Sequence, residues 1–257
     1  MPQWVPVTKE RHGGVRFRRS ESYAHAMKSS LAPVVFAELA PLVAHYPLVF
    51  VRRDDQSFGL FALLGLEPHR NLFVDAGTGR WPAGYIPAVL RAYPFRLLPG
   101  SQGDQWVLCV DEDSGALHDG LEGLPLFTET GDPAPWVDET MNFLRQLLAQ
   151  EQRTLAACAA LDTNGLITPW DLTLRMPRGD RKLEGLYRVN ESALHELDGE
   201  ALRRLRDAGA LAVAYAQLFS AWHIRTSGRL LGGGAPQGED GPPVTPSGEL
   251  DLSFLVS

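Results

Sequence analysis

Twice in its first hundred residues the chain runs a helical pattern into Tyr-Pro and leaves it as an apolar strand. The junctions are Tyr46-Pro47 and Tyr93-Pro94. Proline disfavours the helical region for the residue before it and offers no N–H to continue a helical ladder. Each junction therefore stops one element and turns the chain into an extended run. The runs are Leu48-Val49-Phe50-Val51 and residues 95–98. The flanks of the two junctions share little else, so they read as one helix stop used twice and not as an internal repeat. A chain punctuated this way builds short helices and short strands, an α+β fold.

The remaining periodicities fill in that frame. Residues 4–7 and 15–18 alternate and read as edge strands or an extended arm, separated by Gly13-Gly14. Val35, Leu39, Leu42 and Val43 recur at helical spacing ahead of the first junction. Asp54-Asp55-Gln56-Ser57 is a turn, which makes residues 48–51 and 58–66 a hairpin. Residues 71–75 predict a short strand, residues 106–110 another, and a short helix ends at Ala92. Together these predict one mixed, mainly antiparallel sheet over residues 47–110, packed by helices.

After residue 130 the chain becomes helix-rich. Asp132-Pro133 predicts a helix start, and Val137, Met141, Leu144, Leu148, Leu155 and Ala159 mark one face of a long helix. Residues 170–176 and 182–189 alternate around Pro177-Arg178-Gly179-Asp180, a hairpin signal. Helical material follows from Asn190, interrupted at Gly199 and Gly209, and residues 210–224 predict a buried helix. The reading is a single α+β domain over residues 1–227, sheet-rich to 130 and helix-rich from 131, with a C-terminal hairpin-plus-helices region. Residues 228–257 are a flexible tail by composition: Gly and Pro dominate 228–248, and the end carries Leu250, Leu252, Phe254 and Leu255. Those four predict a partner-docking segment, on the chain's own surface or on another chain.

Composition narrows the function classes. Net charge is −7, which argues against nucleic acid as the main partner. Residues 1–100 hold 12 Lys+Arg against 7 Asp+Glu, and residues 101–165 hold 2 against 12. That asymmetry means either two solvated faces or a molecule oriented against a charged partner. The N-terminus is polar, and His25, Lys28 and Glu38 interrupt the apolar stretch after Arg18-Arg19, so no signal sequence or transmembrane span is expected and the chain reads as cytoplasmic. Cys109 and Cys158 stand outside any CxxC and read as reduced, buried thiols, with a disulfide or redox pair as the alternative.

Catalytic motifs do not stand out. Neither GxxxxGK[ST] nor GxSxG occurs, and Gly77-Thr78-Gly79 lacks the third glycine of a dinucleotide fingerprint. The seven histidines form no HxH, HxxxH or HExxH pattern, so no metal site and no cofactor is expected. The richest stretch is residues 75–91. Asp75, Arg80, Trp81, Tyr85 and Arg91 set cations and amphipathic aromatics beside a Gly-rich turn. They suit the floor of a ligand pocket with donors for a carboxylate, or Trp81 and Tyr85 fill the core where a loop crosses the sheet.

The order and spacing of particular strings carry a resemblance. They are residues 46–52, Leu63-Leu64-Gly65-Leu66, residues 71–75, Gly79-Arg80-Trp81, residues 85–88, residues 91–95, Leu183-Glu184-Gly185-Leu186-Tyr187-Arg188-Val189, and Gly209-Ala210-Leu211 onward to Gln217. Over about residues 12–225 the chain resembles the SapC-like family of bacterial proteins. The resemblance implies a link to bacterial surface layers and a setting beside TonB-dependent receptors, flavin-dependent halogenase-like proteins and cupin-type oxygenases. It implies no catalytic residues. The function expected is an accessory or binding protein of an envelope, nutrient-uptake or peptide-processing system, with a protein or peptide partner and self-association in prospect. The alternative is an enzyme acting on a peptide or amino acid, with its pocket around Arg80, Trp81 and Tyr85.

Overall fold

A computed structural model describes residues 3–82, 84–100, 105–174 and 181–224. From the N-terminus come β1 (Trp4–Pro6), α1 (Lys9–His12), β2 (Val15–Phe17), β3 (Leu31–Pro33) and α2 (Leu39–Val43). The hairpin β4 (Leu48–Arg52) and β5 (Phe58–Leu63) follows, then α3 (Ala88–Arg91), β6 (Phe95–Pro99) and β7 (Trp106–Asp111). Two short strands, β8 (Leu117–Asp119) and β9 (Leu124–Pro125), precede the long α4 (Pro135–Thr163). The last part holds β10 (Ile167–Pro169), β11 (Leu172–Leu174), β12 (Arg181–Leu183), β13 (Tyr187–Val189), α5 (Glu191–His195), α6 (Gly199–Asp207) and α7 (Ala210–Ser220).

The fold is α+β, and each described strand pairing is antiparallel. Strands order as β10-β13-β4-β5-β3, β1-β7-β6, β8-β2-β9 and β11-β12. The single sheet expected over residues 47–110 is thus two: β4 and β5 belong to one, β6 and β7 to another. The residues between β5 and β6 hold side chain-to-backbone bonds from Asn71, Asp75 and Thr78, and Val74 and Trp81 among them pack in the main core with β4 and β5. β2, expected at an edge, is the middle strand of its sheet.

The β4–β5 hairpin was legible because its pattern serves two cores. Leu48, Phe50, Leu60 and Ala62 face the main cluster, while Val49 and Leu63 join Leu66, Leu172, Leu186 and Ile224 on the other side. Successive strand residues point to opposite faces, so a run apolar at every position is a strand covered on both. α7 closes the seam between β4 and β13. Its buried Gln217 accepts from the Val189 N–H at 2.9 Å and donates to the Leu48 carbonyl at 3.4 Å, and Ser220 Oγ accepts from the Leu48 N–H at 2.9 Å.

α4 spans 29 residues, roughly 43 Å of helix at 1.5 Å per residue, and serves two cores in turn. Val137 and Leu144 pack with Phe95, Leu97, Leu108 and Val110; Ala157, Cys158 and Leu161 pack in the main cluster. The face expected from the sequence holds through Leu148 and then drifts. Ala159 is exposed, and Thr154, Ala157, Cys158 and Leu161 are buried instead. The helix also starts at Pro135, not Pro133, because Asp132 closes a Thr128 turn, accepting from Thr130 Oγ1 at 2.9 Å. Cys109 and Cys158 are buried and unpaired, and burial pushes the Cys158 thiol up to about 12, away from a reactive thiolate.

The helical material from Asn190 is in the pieces expected, α5, α6 and α7, with Gly199 opening α6 behind its N-cap Asp198 and Gly209 capping α7. The helix expected to be buried over residues 210–224 is α7, and it is buried on one side only, with Tyr215 and Phe219 exposed. The turn at 177–180, the linker at 228–248 and the docking segment at 249–257 lie outside the described residues.

Candidate functional site

Residues 71–94 build the site together with residues 19–25, Glu38 and Ser114, and side-chain caps shape the segment from residue 71. The strand expected over residues 71–75 is a series of turns. Buried Asn71 accepts from the Phe73 N–H at 2.8 Å and donates to the Ala26 carbonyl at 3.1 Å. Asp75 Oδ1 accepts from the backbone of Gly77 and Thr78 and from Thr78 Oγ1 at 2.6 Å, which holds its carboxyl below the usual range. Short polar side chains that bond their own backbone compete with a strand ladder, and here they win. Gly79 has φ +68°, and a Cβ there would meet Ser22 Oγ at 2.2 Å, so this turn accepts only glycine without moving its neighbour.

The turns deliver Tyr85 to a buried acid and Trp81 to Tyr46 behind it. Glu38 is 5% exposed at the start of α2. Its Oε1 accepts from Tyr85 Oη at 2.5 Å, from the Ala88 N–H at 2.8 Å and from Arg91 Nη2 at 3.2 Å. Arg91 also donates to the Ile86 carbonyl at 3.0 Å and to Tyr85 Oη at 3.1 Å. Burial and the Glu38 charge together push the Tyr85 phenol up to about 12. Behind it, Trp81 Nε1 donates to Tyr46 Oη at 3.1 Å, and Tyr46 Oη donates to the Tyr85 carbonyl. Glu38 Oε2 is buried without a partner among the described residues.

Beside this network lies a hollow of about 230 Å3 lined by Arg19, Ser20, Ser22, Tyr23, His25, Leu90, Arg91, Tyr93 and Ser114 among others, with no carboxylate in its lining. Ala24 and His25 also line a second hollow of about 710 Å3, with Lys28, His69, Arg70 and Asp75. The His25 ring stacks on Tyr93 at 4.0 Å and 15°. Its Nε2 faces the Leu90 carbonyl at 3.2 Å. A carbonyl only accepts, so Nε2 carries the proton of the neutral ring and Nδ1 keeps its lone pair.

Burial holds the His25 imidazole below its ordinary 6.5, outweighing the Leu90 carbonyl, which favours protonation. The unfolded chain then binds that proton more readily than the folded one. Stability tied to neutral His25 is complete above about pH 6.5 and is lost as pH falls through the window beneath it. Thermal melts should show Tm dropping more steeply from about pH 7 to pH 5.5 in the parent than in His25→Gln. Parallel slopes would remove His25 as the titrating group.

The five residues singled out from sequence do not form one cluster. Tyr85 and Arg91 meet directly. Trp81 lies in the main core, with Phe73 stacked on it at 6.3 Å. Asp75 organises its turn and reaches the larger hollow, and Arg80 is exposed and lines neither. Glu38 and His25 were passed over as interruptions of an apolar stretch. That interruption was the available signal: a carboxylate amid Val34-Val35-Phe36-Ala37 and Leu39-Ala40 is a candidate buried charge, which requires partners. No three His, Cys, Asp or Glu side chains among the described residues stand together as a metal site. Nor is any described helix long and apolar enough to cross a membrane.

Fold and site define an α+β protein in which a buried acid–tyrosine–arginine network backs a cation-lined, aromatic hollow. The chain belongs to the SapC family, whose model matches residues 7–226. No curated protein and no solved structure matches it.

Proposed function

We propose that this SapC-family chain is a cytosolic binding protein, an accessory of a bacterial envelope, nutrient-uptake or peptide-processing system. Its ligand is a small carboxylate-bearing molecule of the amino-acid or short-peptide class, held in the hollow at His25. One observation carries this reading: Arg19 and Arg91 line that hollow with two tyrosines, a histidine and three serines, and no acid stands among them. Guanidinium groups recognise carboxylates through paired N–H donors, and aromatic walls receive the apolar remainder. Arg91 is already braced by Glu38, and Arg19, exposed and with no ion pair among the described residues, brings the second charge.

Calorimetric titration with dipeptides and N-acetyl amino acids tests this. Arg19→Gln should weaken binding about tenfold, the loss of one charge-assisted contact. Arg80→Gln should leave it unchanged. No binding tighter than millimolar, or a loss confined to Arg80→Gln, would overturn the assignment. Conversion of the probe during the titration would turn the reading to an enzyme, for which His25 and His69 on one hollow are the groups in place.

A further inference from the structure

α7 carries no charged residue along its 11 positions. Six of them are buried against the core. The opposite side is apolar as well: Tyr215 and Phe219 stack at 5.9 Å and are 40% and 70% exposed, and Trp222, just past the helix, is 40% exposed. Spacings of four and three place these rings on one stripe. A surface helix ordinarily carries charge on that side, and a continuous aromatic stripe marks a surface made to be covered.

We propose that the stripe is the docking site of this chain's own C-terminal segment, residues 249–256. The chain beyond the described helix begins at residue 225, directly after α7 and Trp222. Its intervening residues 225–248 are rich in Gly and Pro. A Gly-rich linker of that length spans roughly 25–30 Å, more than the roughly 16 Å of α7. Leu250, Leu252, Phe254 and Leu255 supply the apolar side chains that match the rings. Tethering holds them near the stripe at an effective concentration in the millimolar range.

The sheets offer a poorer berth. Of the six edge strands of the three larger sheets, five end in proline: Pro6, Pro33, Pro99, Pro125 and Pro169. A proline removes the N–H that an added strand would need. The apolar helix face is therefore a better berth than those five edges.

The test uses the full chain with a photoreactive benzophenone side chain at position 254, mixed as light and isotopically heavy protein. Cross-links should enter residues 210–222 within one chain, at a yield independent of protein concentration. Phe219→Ser should cut that yield about tenfold, the effect of losing one aromatic anchor, with the melting curve unchanged. Should that variant melt early, Tyr215→Ser provides the same comparison. Light-to-heavy cross-links at the stripe would assign it to a second copy and overturn the proposal. Cross-links elsewhere, or none, would overturn it too.

Discussion

Glu38→Ala should destabilise the protein by about 3 kcal/mol, a drop in Tm of roughly 6–12 °C for a chain of this size. The carboxylate is 5% exposed and its Oε1 takes three donors from three residues. Removing it leaves the Tyr85 hydroxyl and the Ala88 N–H without a partner, and the cost of stranding buried donors exceeds the net value of their bonds. The Arg91 contribution is the smaller part, because that side chain is 37% exposed and water screens the pair. Glu38→Gln keeps an acceptor for Tyr85 and Ala88 and gives up the charge facing Arg91. It should cost about 1 kcal/mol. Urea unfolding of both variants measures the difference, and equal losses would mean that charge, not acceptor geometry, holds the network. Because Arg91 lines the hollow, Glu38→Ala should also weaken any ligand there.

The second large effect is Phe50→Ala, at about 3–5 kcal/mol. Phe50 is fully buried at the centre of the five-stranded sheet, opposite Leu60 on one side and Tyr187 on the other. Deleting its ring removes apolar contact and leaves a cavity that β4, held between two neighbours, cannot collapse to fill. The denaturation midpoint should fall while the slope with denaturant stays the same, since the folded surface is unchanged. Phe219→Ala is the matched control. The same chemical change on a ring 70% exposed should stay within about 0.5 kcal/mol. A small effect at Phe50 would mean that the sheet tolerates the cavity by repacking.

Much of the frame follows from the sequence alone, and the reason is local. The Tyr-Pro stops at residues 46–47 and 93–94, the β4–β5 hairpin, β6, β7 and the body of α4 stand where the residues place them. Each depends on a period, a turn residue or a missing N–H that acts within a few residues of itself. The hairpin of β11 and β12 pairs Leu172 with Leu183, but the single strand expected over residues 182–189 is two, because β13 leaves that hairpin to pair with β10 and β4 in the five-stranded sheet. Where expectation failed, a competitor that the apolar pattern does not show had won. Asn71 accepts from the Phe73 N–H two residues on and donates to the carbonyl of Ala26, 45 residues away, and the two bonds hold a turn where the apolar pattern reads as strand. Ala159 fits the early stripe of α4, yet the second half of the helix faces a different core.

The sequence by itself determined the α+β class, the buried strands and the two inert thiols, because hydrophobic period and turn chemistry are properties of neighbours in the chain. Only the tertiary structure decided where the hairpins sit, splitting residues 47–110 between two sheets. It also chose which charges are buried and joined. Glu38 meets Arg91 across 53 residues, and His25 meets Leu90 across 65. An apolar flank marks a carboxylate such as Glu38 as a candidate for burial but not the partners it will meet, since those arrive only when distant segments pack.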